Sequence, residues 1–147
     1  MSFLSYLDST KERALEELEV LDYLYQKDSL DKIELRALKN SLQVIIENLI
    51  GKSKRILKQY NSPIIPQRSK DSIDILYDVG YIDDEIYREF CSAIGFRNVL
   101  IHDYMNFDNE ILYHILKSQK YKVIIDFLLE DVELSGVVVR RIENFGY

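Results

Sequence analysis

Glycine and proline are scarce in this 147-residue sequence, which contains 5 of the former and 2 of the latter. A hairpin-rich sandwich or barrel needs many more turn-forming residues, so the sequence argues against that class of fold. Apolar residues make up 47% of the chain, which is enough to bury a core and argues against intrinsic disorder. We therefore predict an all-α fold with one domain over residues 1–147, in which residues 131–147 form a helical extension or a docking tail.

Cysteine and histidine are also rare, and this limits the available chemistry. The single cysteine, Cys91, cannot form a disulfide within the chain, and His102 and His114 are too few for a zinc-type ligand cluster. We interpret Cys91 as a small core residue and His114 as a structural residue. We expect no redox or zinc chemistry, no bound metal and no cofactor.

Long apolar runs are absent as well. The longest stretch without a charged residue, residues 59–67, contains both prolines and is far shorter than the ~20 apolar residues of a membrane-spanning helix. Residues 1–20 are acidic and periodic, unlike a secretion signal. We therefore expect a cytoplasmic protein without a membrane segment.

Apolar residues recur along most of the chain at the three- and four-residue spacing of amphipathic helices. Asp108 and Ser69 are placed to cap helices, and the fourth helix should begin at Asp83. Gly80 can end a helix, and the two prolines predict a loop over residues 61–67. The predicted helices span residues 2–25, 29–60, 70–79, 83–104 and 108–130.

The charges are unevenly distributed. The net charge of −6 would repel nucleic acid as a whole, yet every charged residue between positions 51 and 70 is positive. This basic patch can be a solvated helix end that interacts with the helix dipole or a surface that contacts RNA phosphates. Its members are Lys52, Lys54, Arg55, Lys58, Arg68 and Lys70.

Arg97 falls within the apolar stripe of the fourth predicted helix, where an unpaired guanidinium would cost several kcal/mol. It must therefore face a carboxylate, a group of carbonyls or an anionic ligand. On a regular helix His102 is offset from Arg97 by about 140°, whereas Tyr104 lies within roughly 20° of it. Either the helix ends or distorts near Ile101, or the site is assembled from two chains, which favours a symmetric dimer.

The second predicted helix gives an independent indication of a partner chain. Its main apolar stripe is accompanied by a second, narrower stripe at Ile33, Ala37, Val44 and Gly51, which predicts contacts on two sides of the helix. Gly95 in the fourth helix would permit close approach of another helix, which could lie at the dimer seam.

Residues 95–104, GFRNVLIHDY, contain the pattern R-x4-H-x-Y, and here the sequence resembles the HepT-like branch of the HEPN superfamily. The resemblance implies an antiparallel bundle of about five helices and a symmetric homodimer in which two R-x4-H motifs surround a shared cleft. It also implies a metal-independent endoribonuclease toxin with Arg97 and His102 as the catalytic pair. Such a pair suits RNA cleavage, because histidine can transfer protons near neutral pH and arginine can stabilise charge on phosphate oxygens.

The same resemblance assigns Tyr104 a regulatory role. In HepT-like toxins the tyrosine of this motif is adenylylated by a nucleotidyltransferase (MNT) antitoxin, which blocks the nuclease. The expected partners are therefore a second copy of the chain, the antitoxin and an RNA substrate. A phenol that only makes an ordinary hydrogen bond is equally compatible with the sequence.

Three further residues are candidates for supporting roles: Asp103, Asn98 and Glu47. Asp103 could orient His102 or pair with Arg97 of the partner chain, but it could equally be a solvated carboxylate. Glu47, with its neighbour Asn48, breaks the apolar register of the second helix and either lines the cleft or occupies the surface. The alternative function is a non-catalytic HEPN interaction module that binds a nucleotidyltransferase, which the acidic net charge favours.

Overall fold

The computed structural model of the chain describes residues 1–146, and their regular structure is entirely helical. This confirms the all-α prediction. A short 3-10 helix, Tyr104–Asn106, joins the fourth and fifth α-helices. The α-helices are α1 (Phe3–Tyr25), α2 (Lys32–Gln59), α3 (Asp71–Asp78), α4 (Asp84–His102), α5 (Asn109–Ser118), α6 (Lys122–Leu129) and α7 (Gly136–Glu143).

Helix α2 forms the centre of the molecule and contacts α1, α3, α4, α5 and α6. Its start is fixed by a capping box in which Asp31 and Glu34 each accept the other's backbone N–H. The predicted main stripe is buried, with Leu38, Leu42, Ile45, Leu49 and Ile56 at most 2% exposed. The second stripe is less buried than predicted, because Ile33 is 78% exposed at the start of the helix.

The helix ends follow the sequence signals in most places. Asp108 caps α5 as predicted, and Asp83, predicted as the first residue of the fourth helix, is the N-cap of α4. Gly80 adopts a left-handed backbone with φ 86° just after α3. The prediction for Ser69 is wrong: Lys70 occupies the N-cap position of α3 and makes no side-chain cap bond there. The Ser69 hydroxyl instead bonds to Arg97.

The predicted fifth helix is divided in two. Gln119 has φ 54° and its N–H bonds to carbonyls in the last turn of α5, so the chain reverses there and α6 starts at Lys122. Sequence inspection missed the break because this position lacks the glycine that usually adopts a left-handed conformation. The bundle therefore has more helices than the five expected.

The segment after α6 is not a separate tail in this structure. Helix α7 places Ile142 in the core, where it is fully buried, and Arg141 donates a hydrogen bond to the Val79 carbonyl after α3. The helical extension is thus the better of the two expectations. No helix in residues 1–146 combines the length and apolar character needed to cross a bilayer.

Candidate functional site

Arg97 is held between two elements on the inner side of α4. Its side chain is only 11% exposed, and its Nη1 lies 3.2 Å from Oε1 of Glu47 on α2. Its Nη2 donates to Oγ of Ser69 in the loop before α3, at 2.5 Å. The partner expected for a guanidinium on an apolar face is therefore the Glu47 carboxylate. The Ser69 hydroxyl, which was predicted to cap a helix, is a second partner.

Two buried donors remain unsatisfied on the elements that form this site. Arg97 Nε and Asn48 Nδ2 are buried and make no hydrogen bond within residues 1–146. Glu47, by contrast, is 47% exposed, so the carboxylate that holds Nη1 is open to solvent. An anion that displaced this carboxylate would find the guanidinium already oriented.

His102 is the last residue of α4 and is exposed. Since α4 is continuous from Asp84 to His102, the offset of about 140° between Arg97 and His102 holds, and no hydrogen bond joins their side chains among those described. One chain therefore does not bring the two residues of the motif together. The helix does end close to Ile101, at His102, but the residues up to that end keep their helical offset.

The exposed side of α4 that carries His102 combines small, polar and apolar residues. Gly95, Asn98, Val99 and His102 follow one another at helical spacing and are all exposed, with Val99 at 58%. A Cβ at Gly95 would meet nothing within 4 Å, so this glycine permits no close helix approach within the chain. Met105, just beyond the helix, is 79% exposed.

Tyr104 does not share the helical phase of Arg97, and that prediction is wrong. Asp103, exposed and with φ −139°, ends α4, and Tyr104 begins the 3-10 helix that follows. Tyr104 instead contacts Lys39 on α2, whose Nζ donates to the Tyr104 carbonyl at 2.8 Å and lies 4.9 Å from the ring centroid. Sequence inspection missed Lys39, although it is another cation in a buried row of a helix, which is the signal that singled out Arg97.

The basic patch is smaller than the sequence suggests. Lys52 is fully buried, and its Nζ donates to the carbonyls of Phe127 and Glu130 at the end of α6, so Lys52 cannot contact RNA. Burial lowers the pKa of Lys52 to about 8. Arg55 donates to the Met1 carbonyl.

The remaining cations of the patch differ in whether they form ion pairs and in how exposed they are. Arg68 pairs with Asp71 at 3.3 Å and Lys70 pairs with Asp74 at 3.5 Å. Lys58 is exposed in the last turn of α2. Lys54 is half-buried and makes no ion pair among the described residues.

A groove of about 610 Å³ lies between the α2–α3 loop and α4, beside the Arg97 contacts. Ser69, Gly95 and Asn98 line it together with Cys91, which is half-buried rather than a core residue. His114 is exposed and borders a separate, mainly apolar cavity of about 280 Å³. Among residues 1–146, no group of three His, Cys, Asp or Glu side chains is arranged to hold a metal ion.

Comparison with known proteins gives one family and two similar folds. A family model described as "Ribonuclease HepT-like" matches residues 11–130, which leaves α7 outside the match. No curated protein matches the sequence. A crystal structure of a toxin–antitoxin with AMP-PNP has a TM-score of 0.72 at 20% identity, covering 87% of this chain and 99% of that one.

The second similar fold is a tri-AMPylated Shewanella oneidensis HEPN toxin in complex with its MNT antitoxin. Its TM-score is 0.70 at 21% identity, and the match covers 86% of this chain and 96% of that one. The helical architecture described above is therefore shared with one chain of each of these two complexes across almost the full length of that chain.

Proposed function

The chain belongs to the HepT-like ribonuclease family, and from this premise we propose that it is a metal-independent endoribonuclease toxin controlled by an MNT antitoxin. The observation that carries the proposal is the arrangement of the R-x4-H motif on α4. Arg97 is pre-oriented by Glu47 and Ser69, while His102 is exposed at the helix end. The two similar folds, both toxins with an antitoxin, support the pairing.

We further propose that the active form is a symmetric homodimer. Arg97 and His102 lie on different sides of α4, so a second chain is needed to complete a cleft that contains both kinds of residue. The exposed stripe around His102 supports this, because Val99 and Met105 are apolar surface that a partner would cover. The absence of any atom near Gly95 leaves room there for a partner helix.

The proposed chemistry is attack of the RNA 2′-hydroxyl on the adjacent phosphorus. One His102 takes the hydroxyl proton while the new O–P bond forms, and His102 of the partner subunit gives a proton to the 5′-oxygen as its bond to phosphorus breaks. Arg97 stabilises the charge on the non-bridging phosphate oxygens. The products are a 2′,3′-cyclic phosphate and a free 5′-hydroxyl.

The supporting residues have distinct proposed roles. Glu47 holds Arg97 in the absence of RNA, and its carboxylate marks the position that a phosphate oxygen takes on Nη1. Asn98 and Asp103 are exposed next to the catalytic pair, where they can contact RNA or the partner chain. The RNA-contacting patch is reduced to Lys54, Arg55 and Lys58, with Arg68 and Lys70 available only if their carboxylate partners release them.

Regulation is proposed to act on Tyr104. The phenol oxygen attacks the α-phosphorus of ATP, an O–P bond forms, pyrophosphate leaves and the phenol proton is released. The added adenylyl group places negative charge and bulk two residues after His102. RNA would then be repelled from the cleft.

The decisive experiment is cleavage of RNA by the purified chain in a buffer that contains a chelator. Arg97→Ala and His102→Ala should each reduce the rate by at least about 100-fold, because each removes a group that acts on the reacting phosphate. Arg140→Ala and His114→Ala are matched controls, since both side chains are exposed and lie outside the motif. They should keep the wild-type rate.

Two results would overturn the proposal. Unchanged cleavage by Arg97→Ala or His102→Ala, with contaminating nuclease excluded, would remove the catalytic assignment. A folded wild type that never cuts RNA, yet binds a nucleotidyltransferase, would establish the non-catalytic interaction module instead.

A further inference from the structure

Lys39 is the most unusual cation near the motif. It is only 8% exposed, and among the described residues no carboxylate forms an ion pair with it. Its ammonium group is compensated by the Tyr104 carbonyl at 2.8 Å and by the face of the Tyr104 ring, 4.9 Å from the centroid. A buried ammonium without a counter-ion is costly, so Lys39 depends on these two contacts with Tyr104 for its compensation.

We propose that Lys39 positions the Tyr104 ring and becomes the charge partner of a phosphate attached to the Tyr104 hydroxyl. The inference rests on the proposed function, because it deepens the regulatory role given there to Tyr104. It assigns a binding site for the phosphate of the modification to a residue on α2, outside the R-x4-H-x-Y motif.

The geometry favours this partnership. The hydroxyl oxygen lies at the edge of the ring whose face Lys39 covers, so rotation of the flexible lysine side chain can bring Nζ to an oxygen of an attached phosphate. A charge-assisted hydrogen bond is roughly twice as strong as a neutral one. The exchange of a carbonyl for a phosphate would therefore supply the counter-ion that Lys39 lacks.

The proposal also explains how the modification can act on His102. The Lys39 contact joins α2 to the 3-10 helix that directly follows α4. Moving Nζ from the Tyr104 carbonyl to the phosphate would change how the segment after His102 is held. Inhibition would then include a rearrangement at the end of α4, in addition to repulsion of RNA.

The test places a phosphate on Tyr104 without the antitoxin. Phosphotyrosine is installed at position 104 of the full chain by genetic code expansion, and its second pKa is followed by phosphorus NMR. In the folded protein this pKa should be about 1 pH unit below its value in the same chain unfolded in urea, because a nearby ammonium favours the dianion. The difference should persist in Lys39→Arg and disappear in Lys39→Met.

Lys122→Met is the matched control, since Lys122 is exposed at the start of α6, and it should leave the phosphate pKa unchanged. An equal pKa in the folded and unfolded wild type would overturn the proposal, and this result does not depend on whether Lys39→Met folds. A lowered pKa that persists in folded Lys39→Met would assign the phosphate to another cation and would overturn it as well.

A separate measurement distinguishes this proposal from the proposed function. After exposure of the wild type to antitoxin and ATP, mass spectrometry should find AMP on the peptide that contains Tyr104. AMP on another tyrosine, such as Tyr113, would contradict the regulatory role of Tyr104. The phosphate contact of Lys39 is decided independently by the NMR titration.

Discussion

Arg97 shows how far the site could be predicted from single residues. Its position on an apolar stripe was enough to require an anionic or carbonyl partner, and the partner is Glu47. The contact with Ser69 could not be predicted, because a serine before a helix signals a cap more often than a long-range bond. The prediction for Tyr104 was wrong for a related reason, because helical phase applies only while the helix continues and Asp103 ends α4.

The first prediction concerns Glu47→Gln. The ion pair is half exposed on the carboxylate side, so its loss should lower the free energy of unfolding by less than about 1 kcal/mol. The carboxylate would no longer compete for Arg97, so affinity for a non-cleavable RNA with 2′-deoxy linkages should rise a few-fold. Fluorescence anisotropy measures this affinity.

Glu12→Gln provides the control for net charge, because Glu12 is exposed on α1 and should leave RNA affinity nearly unchanged. Weaker binding by Glu47→Gln than by wild type would show that the carboxylate assists RNA binding. The proposed exchange between Glu47 and phosphate would then be wrong.

At the scale of helices, Lys52 shows why a run of positive charges is an unreliable guide to a surface. Lys52 lies in the same buried row of α2 as Ile45, Leu49 and Ile56, so its side chain points into the bundle. Its ammonium group donates hydrogen bonds to carbonyls at the end of α6. The periodicity that located the core already contained this information. The break at Gln119, in contrast, had no comparable signal.

The second prediction is a pH dependence of stability that belongs to Lys52. Its pKa is lowered from 10.5 to about 8 in the folded chain, so the unfolded chain binds more protons between these two values. The free energy of unfolding contributed by this residue should therefore rise as the pH increases from about 8 to 10.5. Denaturant unfolding of wild type and Lys52→Met across this range measures the effect.

The free energy of unfolding of wild type should rise relative to that of Lys52→Met as the pH increases, since Lys52→Met lacks the titrating group. Lys58→Met serves as the control, because Lys58 is exposed in the same helix and should show no such trend. A difference between wild type and Lys52→Met that does not change with pH would contradict the effect of burial on Lys52.

At the scale of the whole molecule, the helical class and the order of the first four helices could be predicted from periodicity and capping residues. The docking of α7 could not be predicted, because its apolar residues show no clear helical period. Only the structure shows that Ile142 lies in the core. Assembly is also beyond a single chain. In the proposed homodimer, the exposed stripe of α4 is the surface that a second copy would cover.

The third prediction concerns Gly95→Leu. Nothing surrounds this position within the chain, and leucine is a better helix former than glycine by somewhat under 1 kcal/mol, so the helical fold should be preserved in circular dichroism. The bulky side chain should prevent close approach of a partner helix. Light scattering should therefore detect a monomer, and RNA cleavage should be lost.

Glu19→Leu adds the same side chain to an exposed position on α1 and should remain dimeric and active. A dimeric, fully active Gly95→Leu would place the interface elsewhere. It would also remove the reason for giving the exposed side of α4 to a partner.

The central claim, that two copies of His102 act in one cleft shared by two chains, is tested most directly with a mixed dimer. One wild-type chain and one His102→Ala chain, carrying different affinity tags, are co-expressed with the antitoxin, purified as the heterodimer, freed of antitoxin and assayed for RNA cleavage. The predicted rate is at least about 100-fold below that of the wild-type homodimer, because one of the two proton-transfer groups is missing. The matched heterodimer with His114→Ala should cut at the wild-type rate. If the His102→Ala heterodimer instead cuts at half of the wild-type rate, the dimer contains two independent sites, which would contradict the shared cleft.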